Sequence, residues 1–149
     1  MLELDKIYNM DCIEGLKQVE NKSIDAIITD PPYNINKDDW DRIDNYIDWF
    51  IDFSKECNRV LKDNGTFWFF HMDFNILSLI HNRLIVDTPF RHKQLIIINK
   101  GKQSIAGRTS LDMLRSYPRA TEYLQFYTFE DLNIDIEECD IETIQEVIE

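Results

Sequence analysis

Ser23-Ile24-Asp25-Ala26-Ile27-Ile28-Thr29-Asp30-Pro31-Pro32-Tyr33-Asn34 is the stretch on which the reading of this chain turns. Ile24 to Thr29 is an apolar, β-branched run of buried-strand type. It stops at Asp30-Pro31-Pro32, because proline has no N–H to give to a strand ladder. Asp30-Pro31-Pro32-Tyr33 alone also reads as a plain turn: Asp opens it, two prolines fix it, and Tyr packs beside it. Its position directly after an apolar strand makes it the first candidate for a site.

Working outward, strand-like and helix-like segments alternate. Lys6-Ile7-Tyr8-Asn9 is a short strand candidate, and Cys12 to Val19 a short helix with Asp11 placed to cap it. Ile43, Ile47, Phe50, Ile51, Cys57 and Leu61 recur on one helical face, and Asn64-Gly65 is expected to stop that helix. Thr66 to Phe70 and Gln94 to Ile98 are apolar strands without alternation, the pattern of strands covered on both faces. Asp73 is placed to cap a helix through about Leu84, and Glu122 to Phe129 reads as a late strand. This alternation predicts an α/β sheet, mostly parallel, with helices on both faces. Ligands in such sheets sit beyond the carboxyl ends of the strands, which places Asp30 and His71 at one edge. His71 reads equally as a packed or capping side chain.

Composition narrows the classes. At 149 residues the chain suits one domain with a core of its own. Gly15, Gly65, Gly101 and Gly107 are scattered, which excludes a GxGxxG loop or a Walker-type phosphate loop. Cys12, Cys57 and Cys139 form no CxxC and no Cys/His cluster, so neither a disulfide framework nor a metal-ligand set is expected. The N-terminus has no signal-peptide pattern and no stretch is long and apolar enough for a membrane span; a cytoplasmic protein is expected. The net charge of −12 is unevenly spread: −8 over residues 1–90, +6 over 91–119 and −10 over 120–149. The basic stretch suits local phosphate contacts or a solvated loop. The acidic tail 130–149 carries Ile141, Ile144 and Ile148 on one helical face, fit to dock on the sheet or to bind a partner.

Several of these segments resemble the amino-group DNA methyltransferases. Asn9-Met10-Asp11-Cys12 followed by Ile13-Glu14-Gly15-Leu16 is similar to the family's opening GDC turn and helix, with Met10 in place of Gly. Ser23 to Asn34 is similar to its DPPY segment, and Arg59-Val60-Leu61-Lys62-Asp63-Asn64-Gly65 to its RVLKPGG helix stop. Arg115 to Leu124 resembles a basic loop feeding a late strand. The order, with DPPY near the N-terminus, is that of the β-class, and DPPY resembles the adenine-directed members. The resemblance implies a Rossmann-like methyltransferase fold and transfer of a methyl group from S-adenosylmethionine to adenine-N6 in DNA. It implies Asp30, Pro31, Pro32 and Tyr33 as catalytic residues, with Asp11, Cys12, Asp30 and Pro31 on the cofactor side. Lys100, Lys102, Arg108, Arg115 and Arg119 are expected along DNA.

The chemistry suits these residue types. An exocyclic amine on adenine is a poor nucleophile because its lone pair is delocalised into the ring. A carboxylate and a fixed proline carbonyl, set out of the base plane, favour a pyramidal nitrogen and aim its lone pair. Tyr33 offers a flat face to a base turned out of the duplex. Departures from the family are equally plain. Its glycine-rich cofactor motif, a QKP-type element and a recognition region of ordinary size are missing, and Ile98 stands where Trp is frequent. Residues 1–129 are therefore expected to form a truncated catalytic domain: a fragment, one chain of a split enzyme whose second chain bears the glycine loop and the target recognition region, or a remnant with another task. The competing readings are a non-catalytic acidic interaction protein that keeps the fold, and a methyltransferase acting on RNA or small molecules.

Overall fold

A computed structural model describes residues 2–35, 38–100 and 121–129. Their helices are α1 (Cys12–Leu16), α2 (Tyr46–Val60) and α3 (Phe74–Asp87), with one 3-10 turn at Asp39–Asp41. The strands are β1 (Ile24–Thr29), β2 (Leu61–His71), β3 (Arg91–Asn99) and β4 (Thr121–Thr128). They form one sheet in the order β1-β2-β4-β3. β1 pairs parallel with β2, whereas β4 pairs antiparallel with both β2 and β3. Thus β1, β2 and β3 run one way and β4 alone runs back between two of them. The predicted α/β class holds. The expectation of mostly parallel pairing is met in strand direction but not in adjacent pairs, because the reversed strand separates β2 from β3.

The core follows from the pleat of β2. Phe67, Phe69 and His71 are buried on one face, while Trp68 and Phe70 alternate onto the other and stay half-buried. Phe50 of α2 meets Phe69 at 4.8 Å between ring centroids, and Phe90 stacks on Phe67 at 5.0 Å. The three helices pack α1 on α2 and α2 on α3, in one layer over the buried face. Helices on both faces were expected; among the described residues none covers the second face. No helix of the described residues is long and apolar enough to cross a membrane.

Several boundaries differ from the sequence reading for identifiable reasons. Residues 6–9 form no strand; Ile7 is fully exposed and no neighbour is there to pair with. The helix after Asp11 ends at Leu16, although Asp11 caps it as expected through its Oδ1, which accepts from Glu14 N–H at 3.0 Å. The chain leaves α2 at Val60 and enters β2 directly, so Asn64-Gly65 lies inside a strand rather than after a helix. The β1–β2 register slips there, from Ile24↔Leu61 to Ala26↔Thr66. A Cβ at Gly65 would lie 2.9 Å from the Lys62 carbonyl oxygen, so glycine is required by close approach. Asp73 caps α3 as predicted, accepting from the Asn75 and Ile76 N–H groups. The loop at 101–120 and the tail 130–149 lie outside the described residues.

Arg59, near the end of α2, ties the layer together. Its guanidinium donates to the carbonyls of Leu16 (2.7 Å) and Val19 (3.0 Å), to Asn21 Oδ1 (2.5 Å) and to Glu56 (2.9 Å). It thereby adds a donor to the Leu16 carbonyl at the end of α1 and holds the Val19 carbonyl in the turn after it. Arg59→Met keeps the stem and removes these donors; it should lower unfolding free energy by about 1.5–3 kcal/mol. Arg59→Lys should recover only part, because a point charge cannot span the fork. Urea denaturation of the three proteins checks this, and equal midpoints would remove the bracing role.

Candidate active site

Parallel pairing of Thr29 with Phe69 brings the ends of β1 and β2 level, so Asp30 and His71 emerge at one sheet edge, as the topology predicted. The prolines end β1 here, and Pro31 is buried. Asp30, Pro31, Pro32 and Tyr33 line a cleft of about 430 Å³ with Ile35, Trp40, Asp41, Met72, Lys100 and Glu122. Asp30 is exposed at its wall, and Trp40, 61% exposed, stands beside it.

The polar groups of the turn are held unequally. Tyr33 Oη donates to Asp30 Oδ1 at 2.5 Å, and burial followed by that carboxylate pushes the phenol well above its ordinary pKa. Tyr33 therefore stays a proton donor and pins one carboxylate oxygen. Tyr46 Oη donates to the Pro32 carbonyl at 2.6 Å. No hydrogen bond among the described residues uses the Pro31 carbonyl. Beyond the tyrosine, Asn34 takes a left-handed conformation, φ 56°, which Asn tolerates better than most residues. Its N–H and that of Ile35 donate to the two oxygens of Asp41, at 2.8 and 3.0 Å, and its own Oδ1 accepts from Ile43 N–H at 2.9 Å. Asp41 is 1% exposed, so this carboxylate is held by the loop rather than by water.

His71 is fully buried, lies tilted against Tyr33 with ring centroids 4.9 Å apart, and accepts from Asp73 N–H through Nδ1 at 3.0 Å. The packed, capping reading of this histidine is the one observed. Asp11 and Cys12 lie apart from the turn. They line a second cleft of about 350 Å³ with Tyr8, Met10, Leu16 and Ile27 to Thr29, alongside the outer edge of β1. Burial, then the charge of Asp11, raises the Cys12 thiol pKa. The donor set fits one wall of an adenosyl amino-acid ligand: an apolar surface from Leu16 and Ile27, with the Asp11 carboxylate at its rim. The cleft meets the first at Thr29-Asp30. Lys100 forms an ion pair with Glu122 in the wall of the Asp30 cleft. Lys102, Arg108, Arg115 and Arg119 lie outside the described residues.

Asp41, Tyr46 and Trp40 were not singled out from sequence. Asp41 sits in the acidic run Asp38-Asp39-Trp40-Asp41, which reads as a lead-in to α2, and Tyr46 opens that helix. The one available signal was Asn34, a residue suited to a sharp reversal that something must hold.

An open α/β sheet with an Asp-Pro-Pro-Tyr turn at the carboxyl end of a strand defines a Rossmann-like methyltransferase scaffold. Residues 24–144 match the profile of the DNA methylase family, and the chain belongs to that family. The type II methyltransferase M1.MboII of Moraxella bovis is 41% identical over 80 residues, 50% of this chain and 30% of that one. M.BamHI of Bacillus amyloliquefaciens is 37% identical over 76 residues, 47% of this chain and 18% of that one. Among solved structures, the cytosine-N4-specific PvuII DNA methyltransferase shares the fold with a TM-score of 0.64 at 17% identity, over 83% of this chain and 48% of that one. The M1.HpyAVI–SAM complex gives 0.52 at 23%, over 80% and 52%. The chain thus spans under a third of these curated relatives and about half of these structures.

The loop geometry makes a prediction independent of activity. Asp41→Ala leaves two half-buried N–H groups without their acceptor and should cost about 1–3 kcal/mol of stability. Asp41→Asn, which keeps one acceptor oxygen, should fall between. Denaturant melts decide it: an Asp41→Ala protein as stable as the parent would show that the loop holds itself.

Proposed function

We propose that this chain is the catalytic part of an S-adenosylmethionine-dependent DNA methyltransferase acting on adenine-N6, working with a second polypeptide that supplies the rest of the cofactor pocket and the target recognition region. One observation carries the reading. At the end of β1, Asp30 presents an exposed carboxylate and Pro31 a carbonyl with no hydrogen bond among the described residues, while the neighbouring Pro32 carbonyl and Tyr33 hydroxyl are tied down.

Asp30 Oδ1 is held by Tyr33, which leaves Oδ2 to accept one N–H of an adenine amine. The Pro31 carbonyl accepts the other. Both acceptors are fixed before substrate arrives, so little reorganisation is needed when the amine becomes pyramidal. Trp40 and the ring of Tyr33 offer apolar faces to an extruded base, within a cleft of about 430 Å³. Asp11, Cys12 and Ile27 to Thr29 would hold S-adenosylmethionine, whose sulfonium supplies an electrophilic methyl group. Lys100, Lys102, Arg108, Arg115 and Arg119 are the residues assigned to DNA phosphates. Lys100 reaches them only by sharing its charge with Glu122. The DPPY motif favours adenine over cytosine, since cytosine-directed members often begin the motif with Ser.

Two measurements test this. Methyl transfer from labelled cofactor to duplex DNA, by the chain alone or reconstituted, should fall roughly 30- to 1000-fold in Asp30→Ala, the loss of about 2–4 kcal/mol of preorganised stabilisation. Near-normal turnover would remove Asp30 from the reaction. Calorimetry with S-adenosylmethionine on the chain alone should show weak binding or none, because no Gly-x-Gly turn lines the second cleft among the described residues. A single low-micromolar site per monomer would show that the chain completes the pocket by itself.

A further inference from the structure

α3 and the strands β3 and β4 enclose a cleft of about 400 Å³ that the methyl-transfer reading does not use. Ser78, His81 and Asn82 reach it from one side of α3, at the i, i+3 and i+4 spacing that shares a helical face. His92 reaches it from β3 and Gln125 from β4. Among the described residues no carboxylate, lysine or arginine lines it. His92 faces this way because of a local break in register. It pairs with Tyr127 while Leu95 pairs with Gln125, so two β3 residues three apart share one face of the sheet. In an unbroken strand they would alternate, and the irregularity between His92 and Gln94 turns His92 toward α3.

The two imidazoles meet edge to face, with ring centroids 5.0 Å apart and planes at 82°. Two imidazoles on one tetrahedral ion, each bound at about 2.0 Å, also place their centroids roughly 5 Å apart. His81 Nδ1 lies 2.8 Å from the buried Tyr127 Oη, which orients the ring and leaves Nε2 for another partner. A hydrogen bond on the far nitrogen is the usual companion of a metal-bound histidine. Gln125 is 5% exposed, and its Oε1 is buried with no hydrogen-bond partner among the described residues, a costly state for an amide oxygen.

We infer that His81 and His92 together bind one divalent transition-metal ion of the kind imidazole favours, such as zinc, and that the ion clamps α3 to the outer strand β3. His81 binds through Nε2 and donates its Nδ1–H to Tyr127 Oη. No group of three or more histidine, cysteine or carboxylate ligands exists among the described residues. Water therefore fills the remaining positions, and Gln125 Oε1 accepts a hydrogen bond from one such water. The charge of −12 on the chain draws a cation to this cleft and opposes an anion there. The site stands apart from methyl transfer and does not depend on it.

Zinc ion alone, added to the whole chain, is the probe. Calorimetry should show one tight equivalent. The ring-nitrogen NMR signals of His81 and His92 should move together while those of His71, the third histidine, stay in place. Zinc should raise the melting temperature, because only the folded chain brings the two rings together. His92→Gln, at an exposed position, should weaken binding at least tenfold and abolish the melting shift, and His81→Gln should do the same. Gln125→Leu should weaken binding severalfold while the metal-free chain melts no lower, since a buried oxygen without a partner is removed. Circular dichroism of the metal-free variants controls for folding. Zinc uptake that His92→Gln leaves unchanged, histidine signals that do not move, or a melting temperature indifferent to zinc each overturns the inference. A Gln125→Leu chain that binds zinc as the parent does removes the place given to Gln125.

Discussion

The parallel pairing of β1 with β2 is the constraint on which the rest depends. It sets the ends of two strands level, and everything at the candidate site is arranged from that line: the proline stop after Thr29, the buried His71 at the end of β2, and α3 starting three residues later. Parallel neighbours require a crossover, and α2 provides it over the buried face. The aromatic core of Phe50, Phe67, Phe69 and Phe90 is therefore both the energetic centre and the part that keeps the two strand ends in step.

On that base the Asp-Pro-Pro-Tyr turn is held by groups from outside it. Tyr46 takes one carbonyl, Asp41 takes two N–H groups, and Tyr33 takes one carboxylate oxygen. No hydrogen bond among the described residues uses the second carboxylate oxygen of Asp30 or the carbonyl of Pro31, and both residues line one cleft. Tyr33 serves twice, since the same side chain that offers a ring also orients the carboxylate.

Much of this was legible from residues. The apolar runs ending in prolines or histidine located β1 and β2, and Asp11 and Asp73 announced the caps that the structure shows. Gly65 was misread because a glycine after a helical run is the usual sign of a helix end. The sign fails when the helix is already closed and the glycine answers a carbonyl pressed against it. Lys6 to Asn9 had the composition of a strand without a neighbour to pair with, and pairing is a property of the whole fold. Asp41 was hidden among other acids. Which member of an acidic run turns inward depends on where Asn34 reverses the chain, and no local pattern encodes that.

The strand order also has a consequence in time. Among the described residues β3 pairs only with β4, and β4 enters between β2 and β3. On a ribosome, β1, β2 and the helices over them emerge first, while β3 emerges with no strand to join. Residues 72–128 must be made before the wedge can close, roughly 3–11 s at ribosomal rates of about 5–20 residues per second. During that interval the flanks of β2 and β3 stand open side by side, wanting the same insert. The nascent chain therefore spends its most vulnerable seconds waiting for a strand still to be translated, and the speed of elongation across this stretch becomes a determinant of yield.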